Sequence, residues 1–320
     1  MARYIVNRLL VSIPVFFGIT LIVYGLFALS PGDPVINIIG FASYVEMTPE
    51  QVEAVRAQYG LDQPWLIRYV RWLGDAVQGD LGYPFKGSMS VAELIGQRLG
   101  PTLLLMGTAF LTSLLIGIPL GVLMGLKQYS FLDYFLTVIT FFNLSIPNFF
   151  LALGVIYIFA LKLDFLPTNG MQTIGSDFSI GDRLAHLVLP TLVLGSFYAA
   201  VWARYARSSI LEVLSQDYIR TARAKGLLEW TVVARHAFRN ALLPLVTVVT
   251  LSLPQLLGGA IIVETIFQWP GLGMLGWRAT TTRDYPILMG VTLISATMIL
   301  LSNLLADVLY GIVDPRIRYD

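Results

Sequence analysis

The chain contains no cysteine among its 320 residues. Disulfides, thiolate catalysis and cysteine-ligated metals or clusters are therefore excluded. Charge is also scarce, with Asp, Glu, Lys and Arg making up 13% of the sequence against about 25% in an average soluble domain. The net charge of +1 offers nothing to a polyanion, which excludes a nucleic-acid partner. Only two histidines occur, His186 and His236, too far apart in sequence to suggest a metal site or a catalytic triad. Glycine is never followed by lysine, so G-x-x-x-x-G-K-[ST] is absent and this chain cannot cradle ATP phosphates by that route. What is abundant is apolar side chain, at 56% with a mean hydropathy of +0.72. One globular core cannot hide that excess, so a soluble enzyme and a disordered chain are excluded and a membrane protein remains.

Spanning ~30 Å of hydrocarbon takes about 20 apolar residues as helix. Six stretches lack Asp, Glu, Lys and Arg: Leu9–Leu29, Thr102–Leu126, Tyr134–Leu161, Leu187–Ala203, Ala241–Val263 and Tyr285–Ala306. They define an all-α polytopic protein with six transmembrane helices. The fourth run is short, and His186 and Arg204 at its ends can snorkel. Prolines inside the runs, such as Pro147 and Pro244, are tolerated because neighbouring helices satisfy the freed backbone groups. The first run, at 21 residues, exceeds a signal-peptide core of about 7–15 and is expected to be retained.

Six spans put both termini on one side. With that side cytoplasmic, the inside segments hold 12 of the 21 basic residues in about half the length of the outside segments, and only 7 of the 20 acids. This is the positive-inside pattern. It leaves residues 1–8 and 313–320 inside, a long external loop over 30–101 and a long internal loop over 204–240.

The external loop reads as short helices. Thr48-Pro49-Glu50-Gln51 starts one, which Gly60 ends. Asp62-Gln63-Pro64 starts a second, whose Trp65, Leu66, Tyr69, Val70, Trp72 and Leu73 form an apolar stripe. That stripe packs on the membrane domain or lies in the interface, or the loop also docks an external partner. In the internal loop, Asp217 is placed to cap a short helix and Gly226 to end it in the left-handed conformation. Arg220, Arg223 and Lys225 share its polar side, and Ile219, Ala222 and Ala224 its apolar one. Such a helix either enforces topology and touches lipid headgroups or seats in a groove on another protein.

Other signals carry less. Gly271-Leu272-Gly273-Met274-Leu275-Gly276 matches G-x-G-x-x-G but follows Trp-Pro rather than a strand, and reads as a glycine-rich external turn. Gly117, Gly121 and Gly125 recur every fourth residue, the spacing that lets helices approach closely. Asn143, Ser145, Asn148, Ser252, Gln255, Ser295, Ser302 and Asn303 are polar at membrane depth, where each either bonds to a neighbouring helix or lines a translocation path. Asp307 is the only acid read as close to the membrane core.

The internal loop resembles the cytoplasmic signature loop of ABC-importer permeases. The general form is Glu-Ala-Ala, three spacers and Gly; here Arg220-Thr221-Ala222 precedes Gly226. The Arg-Thr-Ala-Arg-Ala-Lys-Gly wording, followed by His236, Arg239 and Asn240-Ala241-Leu242-Leu243-Pro244, is similar to the dipeptide/oligopeptide branch. Leu29-Ser30-Pro31-Gly32-Asp33-Pro34, Glu264-Thr265-Ile266-Phe267, Trp269-Pro270-Gly271-Leu272-Gly273 and Asp314-Pro315-Arg316 resemble the same branch, in its subunit with the long first external loop. The resemblance implies the type I ABC-importer transmembrane fold in a prokaryotic inner membrane. It also implies a second homologous permease, two ATPase subunits holding ATP and Mg, an extracytoplasmic substrate-binding protein, and no cofactor in this chain. Coupling would fall on Asp217, Tyr218, Arg220, Thr221, Ala222, Arg223, Lys225 and Gly226. The competing class is an ion-coupled secondary transporter, which usually carries ionisable groups at mid-membrane; the six runs have none. An intramembrane hydrolase would need a nucleophile–base pair that the runs do not supply.

Because the chain has no native cysteine, Gln78→Cys and Lys225→Cys test the topology directly. A membrane-impermeant thiol reagent added outside cells should label position 78 and spare position 225. The reverse pattern would invert the map.

Overall fold

The computed structural model describes residues 2–313, and among them all regular structure is helical. The Asp314-Pro315-Arg316 motif and the C-terminal segment read as cytoplasmic lie outside the described residues, as do the side chains of Leu243 and Gln255. In chain order the helices are α1 (Ala2–Ala28), α2 (Pro34–Ile39), α3 (Phe41–Glu46), α4 (Pro49–Gln58), α5 (Trp65–Val77), α6 (Val91–Leu126) and α7 (Phe131–Ser145). They continue with α8 (Asn148–Val155), α9 (Ile180–Leu214), α10 (Asp217–Ala224), α11 (Glu229–Thr231), α12 (Arg239–Ile266), α13 (Leu272–Thr282) and α14 (Tyr285–Val313). A π-helical turn over Ile156–Lys162 extends α8, and another over Val232–Phe238 joins α11 to α12.

Parts of α1, α6, α9 and α14 are long and apolar enough to cross a bilayer, and two bent pairs bring the number to six. Several boundaries differ from the sequence reading. The second span begins eleven residues early, at Val91, inside the segment read as external loop. The fourth runs from Ile180 to Leu214, well past Arg204, so the first third of the internal loop is membrane helix continued into water. Charge-free length marks the hydrocarbon, whereas a helix continues until a cap stops it.

The third run is not one straight span. Its halves, Phe131–Ser145 and Asn148–Lys162, meet at 107°. Pro147 has no N–H to donate and pushes Ile146 into extended backbone (φ −82, ψ 128), which ends α7 one residue earlier. The fifth bends by 47° around Pro244, between Glu229–Leu242 and Pro244–Ser252.

The chain divides into two compact units. The first comprises residues 1–5, 102–269 and 301–320. Its core is built on α9, where Trp202 is fully buried with Phe110 edge-on at 5.3 Å, among Leu105, Leu194, Val263 and Phe267. The contact between α6 and α9 is closer than ordinary side chains permit. A Cβ at Gly117 would lie 2.5 Å from the Ala199 carbonyl oxygen. One at Gly121 would strike the Ala203 carbonyl, and one at Gly125 would meet Ile210 at 2.8 Å. Gly195 returns the favour, its hypothetical Cβ standing 3.0 Å from the Ala109 carbonyl. The four-residue glycine repeat therefore lies on the α6–α9 seam, as its spacing suggests.

The second unit comprises residues 6–101 and 270–300. Here α4 opens with the capping box read from sequence: Thr48 Oγ1 accepts from the Gln51 N–H, and Gln51 Oε1 accepts from the Thr48 N–H. The stripe on α5 splits in two. Tyr69 is buried against α1, hydrogen-bonded to Thr20 at 2.9 Å, and Trp65 lies over Gly25, while Leu66 and Val70 face outward. Asp33 ties the short helices together, accepting from the Val35 N–H, from Arg56 at 2.7 Å and from Tyr44 at 3.2 Å. The segment read as a glycine-rich turn instead opens α13, with Leu272 buried against Leu81, Val91 and Ile95. Asp284 precedes α14 and accepts from the Phe85 N–H at 3.0 Å; burial pushes its carboxyl above the usual range.

Replacing Gly121 with Ala should destabilise the chain by about 1–3 kcal/mol, because backbone on α9 would have to move. Gly107, on the same helix with open space around it, is the control, and Gly107→Ala should be neutral or slightly stabilising. Thermal unfolding in detergent, read side by side, checks the pair.

Candidate functional site: the internal helix and its supports

Between the end of α9 and the start of α12 the chain makes a short helix, a turn and a return. The residue at the N-cap of α10 is Gln216, whose side chain makes no capping bond. Asp217, read from sequence as the cap, is instead the first helical residue, where its charge suits the positive end of the helix dipole. At the other end Gly226 has φ +77. The Gly226 N–H donates to the Arg223 carbonyl at 2.9 Å and the Leu227 N–H to the Ala222 carbonyl at 3.4 Å. That bond pair is a Schellman closure, which requires the left-handed residue glycine supplies most readily.

The burial pattern corrects part of the sequence reading. Ile219 and Ala222 do not form a free apolar face. They are buried in the chain's own core with Ile210, Val232, Ala237 and Ala241. Ala224, read with them as apolar but two residues on from Ala222 and so on the other side of the helix, is exposed. Arg223 is engaged inside the segment as well, forking onto Glu229 at 2.6 and 3.1 Å, and the carboxylate raises its guanidinium further. What α10 and its turn present outward is Tyr218, Thr221, Arg220 and Lys225, followed by Leu227, Leu228 and Trp230. The side chains of Leu228 and Trp230 are 77% and 79% exposed, unusual for residues of this size flanked by charge. Leu228 is the last residue of the segment, 218–228, to which the family resemblance assigns coupling, and Trp230 lies beyond it, after the glycine at which the short helix ends.

A second support lies beside this segment. The Asp133 carboxylate takes a fork from Arg207, Nε to Oδ1 and Nη2 to Oδ2, both at 2.8 Å, and accepts the Tyr129 N–H at 3.0 Å. Its side chain is 3% exposed. This pair fixes the start of α7 to α9 one turn before Ile210, the residue on which α10 rests. In the sequence Arg207 is one positive charge among many, and Asp133 stands 74 positions away, so only the fold joins them.

The eight path candidates occupy different settings. Asn143 borders a cavity of about 150 Å³ among α6, α7 and α9, with its Oδ1 buried and without a partner. Ser145 and Ser252 turn their hydroxyls back onto the carbonyls of Phe141 and Val248. Asn148 is half-buried, Ser302 half-buried and Asn303 exposed; Ser295 belongs to the second unit; and the Gln255 side chain is outside the described residues. A larger cavity of about 390 Å³ between α6, α12 and α14 is lined almost entirely by apolar side chains, among them Phe110, Leu245 and Leu305. Nor is Asp307 the only acid near the core. Glu264, inside the last turn of α12, is fully buried and accepts from the Thr102 hydroxyl at 2.7 Å. It escaped notice because it falls one residue past the charge-free run. His186 likewise holds structure, bonding the Asn169 carbonyl at 2.9 Å across the α8–α9 connection.

Residues 117–319 match the family described as "Binding-protein-dependent transport system inner membrane component", and residues 1–106 match the N-terminal part of such membrane components. The chain belongs to this family. Its relatives align over full length. The oligopeptide transport system permease protein AppB of Bacillus subtilis is 45% identical over 325 residues, covering all of both chains. The dipeptide transport system permease protein DppB of Escherichia coli K12 is 39% identical over 340 residues, covering 100% of this chain and 99% of the relative. The glutathione transport system permease protein GsiC of Escherichia coli O6:H1 is 39% identical, with full coverage of both. Among solved structures, a chain of the inward-facing MetNI methionine ABC transporter superposes with a TM-score of 0.54 at 20% identity, covering 69% of this chain and 96% of that one. That likeness shows the fold, the type I ABC-importer transmembrane arrangement. The chain is thus a membrane component of an ABC import system.

Removing one member of the Asp133–Arg207 pair should cost on the order of 3 kcal/mol, since it strands a buried charge. Arg207→Ala and Asp133→Ala should each lower the unfolding temperature in detergent, and the double variant should lose less than the sum of the two. Additive losses would show that the two groups act independently.

Proposed function

We propose that this chain forms half of the translocation path of a peptide importer of the inner membrane. A second, similar permease supplies the other half, two ATPase subunits below it bind ATP and Mg, and an extracytoplasmic binding protein delivers the substrate against the external loop. Both termini and the 204–240 segment lie in the cytoplasm in this reading. The substrate class is short peptides, supported by full-length relatives named for oligopeptide, dipeptide and glutathione transport. The binding protein sets most of the choice among them.

The observation that carries the coupling role is the construction of α10. Ile219 and Ala222 bolt the short helix to α9 and to the π turn that leads into α12, while Leu228 and Trp230 are left in water. A partner gripping the exposed side moves two membrane helices at once, because a packed core transmits displacement rather than absorbing it. ATP hydrolysis belongs to the partner in this scheme: the chain has no phosphate-cradling loop. The ion-coupled secondary transporter has no observation in its favour once the family is known.

Gly226→Val is the sharpest test. No atom crowds a Cβ there, so the cost, on the order of 1–3 kcal/mol, comes from forcing a β-branched residue to φ +77. The variant should insert and pair with its sister permease, yet lose peptide uptake and the stimulation of ATP hydrolysis by loaded binding protein. Gly226→Asn, which tolerates the left-handed region, should retain most of both. Trp230→Ala should weaken ATPase co-purification without touching the helix. If Gly226→Val and Trp230→Ala both transport like the parent, the segment is not the transmission element.

A further inference from the structure

The second unit contains a cleft of about 320 Å³ whose lining is unlike the rest of the chain. Tyr24, Trp72 and Tyr285 supply aromatic faces, Arg68 and Arg71 positive charge, and Asp75 and Asp80 negative charge, Asp80 being engaged by the Gly82 N–H at 2.8 Å. Two donors on its lining residues, Arg68 Nε and Trp72 Nε1, are buried and have no acceptor among the described residues. Buried N–H groups left unpaired are costly, and with them the guanidinium groups of Arg68 and Arg71 give the cleft donors that suit an acceptor from another molecule. The cleft lies at one level of the fold. Tyr24 is in the last turns of the first span, which ends at Ala28, and Tyr285 is the first residue of the sixth. On the topology proposed above, that is the outer headgroup layer. The same helix that carries the two arginines leaves Leu66, Val70 and Val77 exposed, an apolar strip that suits acyl chain rather than water.

We infer that this cleft binds the headgroup of an ethanolamine phospholipid. The phosphate, an acceptor-only anion, satisfies Arg68 and Trp72 and is held from the side by Arg71. The primary ammonium faces the Asp75 carboxylate and the aromatic rings. Glycerol headgroups lack the cation, and choline headgroups have no N–H to give the carboxylate. A peptide zwitterion carries similar end charges, but it has no hydrocarbon for the strip on α5. A lipid held here braces α5 against the ends of two spans, in the part of the chain that faces the binding protein in the proposed reading.

The test uses the assembled transporter, purified in detergent and offered equal amounts of synthetic phosphatidylethanolamine, phosphatidylglycerol and phosphatidylcholine, with retained lipid read by native mass spectrometry. One phosphatidylethanolamine should remain per copy of this chain, at least about tenfold over phosphatidylglycerol. Arg68→Gln with Arg71→Gln should cut that retention by at least about tenfold, the loss of charge-assisted bonds. Asp75→Asn should bring phosphatidylethanolamine down to the level of phosphatidylcholine while total lipid stays the same. Should the arginine variant fail to assemble, the selectivity of Asp75→Asn, an exposed position, decides. Equal retention of all three lipids, indifference to the arginine or Asp75 changes, or displacement of the lipid by trialanine would overturn the inference. A micelle has no sides, so failure here leaves the topology untouched, and the cysteine at position 78 tests that separately.

Discussion

The arrangement of the first unit depends on how closely the backbones of α6 and α9 approach. Lipid tails are as apolar as leucine, so burial alone gives two membrane helices no reason to stay together. What remains is contact, and contact is densest where side chains are missing. Gly117, Gly121 and Gly125 on one helix meet Ala199, Ala203 and Ile210 on the other, with Gly195 and Ala109 repeating the pattern further along. Everything else in the unit is hung from this seam. Trp202 fills the core beside it, the Asp133–Arg207 fork locks α7 to its inner end, and α10 rests on Ile210 just beyond the last glycine.

That placement gives the internal segment two opposed properties. Its inner surface is committed to the chain itself, through Ile219, Ala222 and the Arg223–Glu229 fork. Its outer surface carries Leu228 and Trp230, both left exposed among the described residues. A loop that merely connected two helices would need neither. The left-handed turn at Gly226 separates the two surfaces, since it is where the chain stops packing inward and begins to face outward.

The sequence made the membrane class, the glycine seam, the Thr48 capping box and the turn at Gly226 legible, because each is a local pattern of apolar length, spacing or cap chemistry. It could not show that Ala222 is buried in the chain's own core while Ala224 is not. Residues two apart lie on opposite sides of a helix, so the period already separates the two, and only the neighbouring elements decide that the Ala222 side is the covered one. The 107° break at Pro147 was hidden for a related reason: a proline inside a long apolar run is compatible with a straight span, a kink or a turn-back. Asp133 with Arg207 and Thr102 with Glu264 join residues 74 and 162 positions apart, which no pattern within one helix encodes. Membrane depth gives the height of a polar residue along a helix and not the direction its side chain takes around it, so a translocation path is not legible from depth alone.

The glycine seam also sets an order in time. Gly121 and its partner Ala203 are 82 residues apart in the chain. At about 5–20 residues per second, α6 is in the bilayer for roughly 4–16 s before the surface it fits has been synthesised. During that interval its small-residue face has only lipid beside it, and the bent α7–α8 pair must enter the membrane without the helix that will later hold it. The closest backbone contact in this unit therefore joins surfaces that are made many seconds apart.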